Sequence, residues 1–179
     1  DSFRDLVDHH VDILFGNGAG GFGPAKVYAT DHAPNSVAVG DFNGDGRPDL
    51  AVASFFGGLM IFQAGAGGKL AVKGTYDTGS LPIACLVADF NGDRKLDVAT
   101  IDQFGSMVDQ FNGTGLGTFG KPTSYVVGDG PRWGAAADLN GDGLADVAVA
   151  NFNSGTITIL ASPTHATGFR VYVPPTATA

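Results

Sequence analysis

Apolar residues in this chain come in short runs of four or five, divided by turn-forming residues, with no helix-like three-to-four spacing. Val11-Asp12-Ile13-Leu14-Phe15 leads into a glycine-rich turn, Gly16 to Gly21, and then a strand ending at Tyr28. The same order recurs as Leu59-Met60-Ile61-Phe62, the turn Gly65 to Gly68 and a strand ending at Tyr76. It recurs as Met107 to Phe111, a turn from Asn112 to Thr118 and a strand through Tyr125, and again as Thr156 to Leu160, the turn Ser162 to Gly168 and Phe169 to Val173 around Tyr172. Ahead of these lie further β-type runs: Leu50-Ala51-Val52-Ala53, Val98-Ala99-Thr100-Ile101 and Val147-Ala148-Val149-Ala150. Small-residue runs, Ser36 to Gly40 and Gly134 to Ala137, complete the set. The pattern predicts an all-β chain of short strands and tight turns.

The repeat has a fixed phase. Tyr28, Tyr76 and Tyr125 each stand thirteen residues before an aspartate, and those aspartates, Asp41, Asp89 and Asp138, are 48 and then 49 residues apart. Four short strands in such a period match a β-propeller blade, a four-stranded antiparallel sheet set radially about an axis. Crowded inner strands need small side chains, which suits Ser36–Gly40 and Gly134–Ala137; the tyrosine strand suits the outer edge. The expected architecture is a partial ring of about four blades: an incomplete one at 1–34, then 35–82, 83–131 and 132–179. Since Asp1 to Asp5 align with the back half of a repeat, further blades of the same parent chain are expected.

Between the first two strands of each repeat stands an acidic run: Asp41-Phe42-Asn43-Gly44-Asp45-Gly46-Arg47-Pro48-Asp49, Asp89-Phe90-Asn91-Gly92-Asp93-Arg94-Lys95-Leu96-Asp97 and Asp138-Leu139-Asn140-Gly141-Asp142-Gly143-Leu144-Ala145-Asp146. Oxygen ligands at positions one, three, five and nine suit a hard cation, because Ca²⁺ takes six to eight oxygens in flexible geometry. An EF-hand would close on a glutamate at position twelve, but the chain has no glutamate and those positions are Val52, Thr100 and Val149. A plain hairpin turn does not need carboxylates that repel one another, so the expected cofactor is Ca²⁺. Arg94 weakens that expectation for the second loop, because it stands where glycine takes a positive φ at little cost.

Composition narrows the class. A charge of −8 argues against nucleic acid or anionic membrane as partner, and nine of the eighteen aspartates lie in the three loops. Cys85 is alone, so no internal disulfide framework exists, and its apolar run makes it a small buried hydrophobe. No apolar run approaches the length of a membrane-spanning helix. Gly16, Gly18 and Gly21, like Gly115, Gly117 and Gly120, satisfy G-x-G-x-x-G, but a strand follows where a dinucleotide site needs a helix. His9 and His10 read as a polar strand end, with His10 sharing its repeat position with Ser54, Asp102 and Asn151. No Ser, His and Asp set suggests nucleophilic catalysis, and Asn112-Gly113-Thr114 is a chance-level glycosylation pattern.

Runs such as Val37 to Ala53, in which the nine-residue loop is followed by an apolar strand, resemble the FG-GAP or VCBS-type repeat found in integrin α propellers and many bacterial secreted proteins. The resemblance covers essentially the whole chain. It implies Ca²⁺ held in the hairpin between the first two strands by side chains at positions one, three, five and nine and by the carbonyl of position seven. Carried over, the ligands are Asp41, Asn43, Asp45, Arg47 and Asp49; Asp89, Asn91, Asp93, Lys95 and Asp97; and Asp138, Asn140, Asp142, Leu144 and Asp146. A partial site would comprise Asp1, Phe3 and Asp5. The expected function is a calcium-binding module of a secreted or cell-surface protein that adheres to a protein or glycan and has no chemistry of its own. A propeller hydrolase or lyase on glycans and a non-binding spacer are the rival expectations. A ligand is expected at the face opposite the acidic loops, which carries Asp31, His32, Phe55, Phe56, Asp102, Gln103, Phe104, Asp129, Trp133, Asn151 and Phe152.

Overall fold

The computed structural model describes residues 9–79, 81–162 and 169–172, and among them one helical turn, Ala66–Gly68, interrupts an otherwise all-strand inventory. The first sheet pairs β1 (His10–Ile13) with β2 (Lys26–Ala29). The second runs β3 (Pro34–Gly40), β4 (Asp49–Ser54), β5 (Gly58–Ala64) and β6 (Leu70–Tyr76). The third runs β7 (Pro82–Ala88), β8 (Asp97–Asp102), β9 (Met107–Phe111) and β10 (Thr123–Val126). The fourth runs β11 (Pro131–Ala137), β12 (Asp146–Asn151), β13 (Thr156–Ala161) and β14 (Arg170–Tyr172). Every pairing is antiparallel between consecutive strands. Each sheet is therefore a meander, and β3 lies against β7 as β7 lies against β11. Inner strand beside inner strand is the arrangement of propeller blades about an axis.

Each inner strand opens on a proline, Pro34, Pro82 or Pro131, and a register shift follows at once. Proline has no N–H for a ladder, so it fits where a bulge has already interrupted the pairing. The strands thus begin one residue ahead of the boundaries expected from the repeat. Residues 1–8 lie outside the described chain, as do 163–168 and Val173. Val11 sits opposite Tyr28 as Leu59 sits opposite Tyr76. His10 therefore opens a third-type strand and does not share the position of Ser54, Asp102 and Asn151, a correction that follows from strand pairing rather than residue counting.

The core lies between the blades. Residues of β4 and β5 such as Ala51, Ala53, Leu59 and Ile61 bury themselves against Cys85, Val98 and Phe111 of the next sheet, and that sheet's other face packs on Val147, Val149 and Leu160. Cys85 is buried as expected, and burial pushes its thiol pKa up. The joints are built alike. Phe42, second in its acidic loop, meets Phe119 of the following blade edge to face at 5.3 Å, and Phe90 meets Phe169 at 5.2 Å. The Tyr76 hydroxyl accepts the Phe119 N–H at 3.0 Å, the Tyr125 hydroxyl the Phe169 N–H at 2.9 Å, and the Tyr28 hydroxyl the Leu70 N–H at 3.4 Å. The repeated tyrosine is thus a hydrogen-bonding hinge pin between blades.

Two substitutions separate the parts of this joint. Tyr76→Phe keeps the ring but orphans the Phe119 N–H and should cost about 1–2 kcal/mol. Phe90→Ala empties a fully buried site and should cost about 3–5 kcal/mol. Urea titration followed by fluorescence measures both; equal losses from the two would contradict this division of labour.

Candidate metal loops and the opposite face

The acidic loops join β3 to β4, β7 to β8 and β11 to β12, all at one end of the sheets. Each curls because positions four and six take positive φ: Gly44 and Gly46, Gly92 and Arg94, Gly141 and Gly143. Arg94 adopts φ 65° there, the left-handed conformation anticipated from its alignment with glycine. The curl turns amide protons inward. Asp41 accepts the N–H groups of Gly44, Asp45 and Gly46, and Asp138 those of Gly141, Asp142 and Gly143, at 2.7–3.2 Å. Asp89 likewise takes those of Gly92 and Arg94. The amide protons around Asp138, that of Gly143 foremost, hold its carboxyl below the usual range.

Positions three and five continue the pattern. The Asn43, Asn91 and Asn140 carbonyls accept the position-five N–H, and Asp45, Asp93 and Asp142 accept the position-seven N–H. Position seven differs between loops. Arg47 donates to Asp45 at 3.1 Å and Lys95 to Asp93 at 2.9 Å, whereas Leu144 leaves Asp142 without such a cation. The Asn43 amide first, and then Arg47, keep the Asp45 carboxyl below its ordinary pKa.

Position nine faces inward. Asp49, Asp97 and Asp146 are buried, each spending one oxygen on the N–H of loop position two and the other on the N–H at or just past the end of the third strand. The pairs are Phe42 and Ala64 at 3.1 and 2.7 Å, Phe90 and Gly113 at 3.1 and 2.8 Å, and Leu139 and Ser162 at 3.0 and 2.8 Å. Burial pushes the Asp97 pKa up to about 6, against the pull of these two amides and with help from the charges of Asp93 and Asp89. The spacing marked position nine as a ligand but not as a brace, because the third-strand N–H it holds lies fifteen or sixteen residues away.

All four donors of each loop are oxygens, which fits Ca²⁺ in kind, and a carboxylate has about four lone-pair sites, of which two N–H groups at position nine use half. As the loops are arranged, no three acidic, histidine or cysteine side chains among the described residues stand close enough to hold an ion. Asp1, Phe3 and Asp5 lie outside the described residues.

At the other end, the β4–β5, β8–β9 and β12–β13 hairpins expose Phe56, Phe104 and Phe152, and Trp133 stands open at the start of β11. Each is 63–71% exposed, so Trp133 is no core residue. The Arg132 guanidinium lies 4.3 Å over the Phe152 ring, and half-buried Phe55 packs edge-on against Phe56 at 4.5 Å. Exposed Asp31 and His32 border a polar depression with Phe56, Thr75, Asp77 and Thr78. Gln103 is half-buried and Asp129 exposed. Asp102 and Asn151 are not on this surface, since both are buried, Asn151 donating to the hydroxyls of Thr156 and Thr158. Polarity alone does not reveal which side of a strand end a residue occupies. Asp109, not singled out by sequence, is also buried and accepts from Ser124 and from the Gly79 N–H, clamping the linker from the preceding blade. Thr158 holds the Gly128 N–H in the same way.

A model of the FG-GAP-like repeat matches residues 3–52, 41–100 and 89–149. No curated protein matches the chain.

The buried Asp97 carboxyl gives a pH signature. Its folded pKa of about 6 exceeds its unfolded value near 3.8, so its stabilising contribution is full below about pH 4 and is lost as pH rises through 6. In chelator, melting temperature should rise as pH falls from 7 to 5, and Asp97→Asn should flatten that rise. A wild-type slope retained by the variant would assign the effect elsewhere.

Proposed function

The chain belongs to the FG-GAP-like repeat family, and on that footing we propose that it is a calcium-stabilised propeller module of a secreted or cell-surface protein, binding a protein or glycan without chemistry of its own. The observation that carries this reading is the threefold recurrence of one curled loop with carboxylates or amides at positions one, three, five and nine. Ca²⁺ would be held by the oxygens of Asp41, Asn43, Asp45 and Asp49 with the Arg47 carbonyl, and by their counterparts in the other loops. The ion supplies positive charge to loops that hold nine aspartates against three basic residues, Arg47, Arg94 and Lys95. Extracellular modules bind Ca²⁺ at about 10⁻⁴ to 10⁻³ M, a range that cytosolic Ca²⁺ does not fill. The three loops are unequal: Arg47 and Lys95 already neutralise position five, and the third loop, with Leu144, carries its charge uncompensated.

For the ligand, the reading rests on four exposed aromatic side chains at the end opposite the loops, one of which, Phe56, has His32 and Asp31 beside it. An open ring flanked by carboxylate and imidazole stacks on and hydrogen-bonds to a sugar or a protein loop, and exposed aromatics repeated at one end of successive sheets suit an interaction surface.

Thermal melts with and without chelator test the first part. Occupancy at a hundredfold excess over Kd contributes about 2.7 kcal/mol per site, so Ca²⁺ should raise the midpoint by several degrees; an unchanged midpoint sinks the idea. Asp142→Ala should reduce the calcium-induced shift more than Asp93→Ala. Glycan arrays and pull-downs from extracellular extracts test the second part: Phe56→Ala with Phe104→Ala should abolish capture without altering the melt. Capture that survives this pair but is lost on changing the turn Gly65 to Gly68 would move the ligand to the loop end.

A further inference from the structure

The third sheet buries charge where its neighbour does without. Thr100 and Asp102 stand two apart on β8 and so share a face, and strand pairing sets Asp109 of β9 beside Thr100 and Ser124 of β10 beside Asp109. Cys85 and Val98 carry that face against the second sheet. Thr100, Asp102 and Asp109 are all but closed to solvent. The two carboxylates converge beneath one linker residue, with an oxygen of Asp102 and one of Asp109 at 2.6 and 3.4 Å from the point where a Cβ on Gly79 would stand. Asp109 is held by neutral donors, the Ser124 hydroxyl and the Gly79 N–H, and no basic side chain among the described residues pairs with it. The Thr100 hydroxyl, wholly buried on the same face, has no hydrogen-bond partner among the described residues.

The fourth sheet shows that clamping a linker needs no charge. One repeat on, the places of Gly79, Thr100, Asp102 and Asp109 are taken by Gly128, Val149, Asn151 and Thr158. There the Thr158 hydroxyl takes the Gly128 N–H, and Asn151 donates to Thr158. A buried carboxylate is costly unless a positive charge pairs with it, and a second one close by adds repulsion. Two carboxylates and an unspent hydroxyl in one dry place therefore call for a cation. Every donor is an oxygen, two carboxylates match a divalent charge, and Ca²⁺ takes such donors at about 2.3–2.6 Å in irregular geometry. We propose that Asp102, Asp109 and the Thr100 hydroxyl hold a Ca²⁺ ion between the second and third blades. The site is separate from the acidic loops, which lie at the other end of the sheets. Ser124 is exposed, so the ion and the water that completes its shell reach the pair from the β10 edge.

The test counts ions per chain by equilibrium dialysis of the full chain against radioactive Ca²⁺. Asp102→Asn with Asp109→Thr gives the third sheet the residues its neighbour already uses, and circular dichroism checks that it folds. This variant should bind one ion fewer than the unmodified chain, whatever number the acidic loops bind, so failure of the loop reading leaves the comparison intact. Thr100→Val changes no charge and carries the test alone if the double variant does not fold. In chelator it should melt at or above the unmodified chain, because it removes a buried hydroxyl without a partner; in Ca²⁺ it should gain less. Equal ion counts for the unmodified chain and the folded double variant would overturn the proposal. So would a calcium-induced melting shift that Thr100→Val leaves unchanged.

Discussion

A carboxylate taken out of water and gripped by two amide protons is the constraint on which each blade rests. Asp49, Asp97 and Asp146 tie the second loop residue to the end of the third strand. Burying an ionised carboxylate is costly, while a hydrogen bond to a charged group returns about 1.5–3 kcal/mol. At Asp97 the two do not balance, because burial leaves its pKa near 6. The neighbouring charges of Asp93 and Asp89 deepen the imbalance, and the one cation that pairs within this loop, Lys95, is spent on Asp93. Loop shape and the tie between loop and third strand therefore share one cause.

That brace also positions the joint. Fixing the N–H of Phe42 and Phe90 to the blade interior aims their rings outward into the next blade, where Phe119 and Phe169 receive them. The Tyr76 and Tyr125 hydroxyls then engage the same two residues through the backbone. Polar clamps from Asp109 and Thr158 hold the connecting linkers. Apolar packing supplies most of the burial between blades, and these few directional contacts select one relative placement, as buried polar groups do when fully satisfied.

The period of 48 and 49, the strand order and the outer tyrosines were legible in the sequence because each is a local pattern repeated in phase. The loops were legible for the same reason, including the left-handed backbone at Arg94, where alignment with glycine stood in for geometry. What escaped was long-range. Nothing in the nine loop residues announces that position nine reaches a strand fifteen residues on, and nothing near Asp102 or Asn151 says that they turn inward while Trp133 turns out. The prolines that open β3, β7 and β11 carry no local sign of the register shift that follows them, because a bulge is a property of two strands, not one. His10 was misplaced by counting from the acidic loop, where pairing with Ala29 sets its true register.

The joints between the second and third and the third and fourth sheets each draw a tyrosine and a loop aromatic from one blade and an N–H group and receiving turn from the next. Because the third sheet carries both halves, Phe119 to receive and Phe90 with Tyr125 to insert, duplication of that whole period in the gene creates a new unit that docks at once on either neighbour. Deletion of a period heals equally well. The circumference of such a protein can therefore drift over generations in steps of one blade, with no new interface to invent, whereas an insertion of a few residues within the acidic loop would break a brace and a joint together.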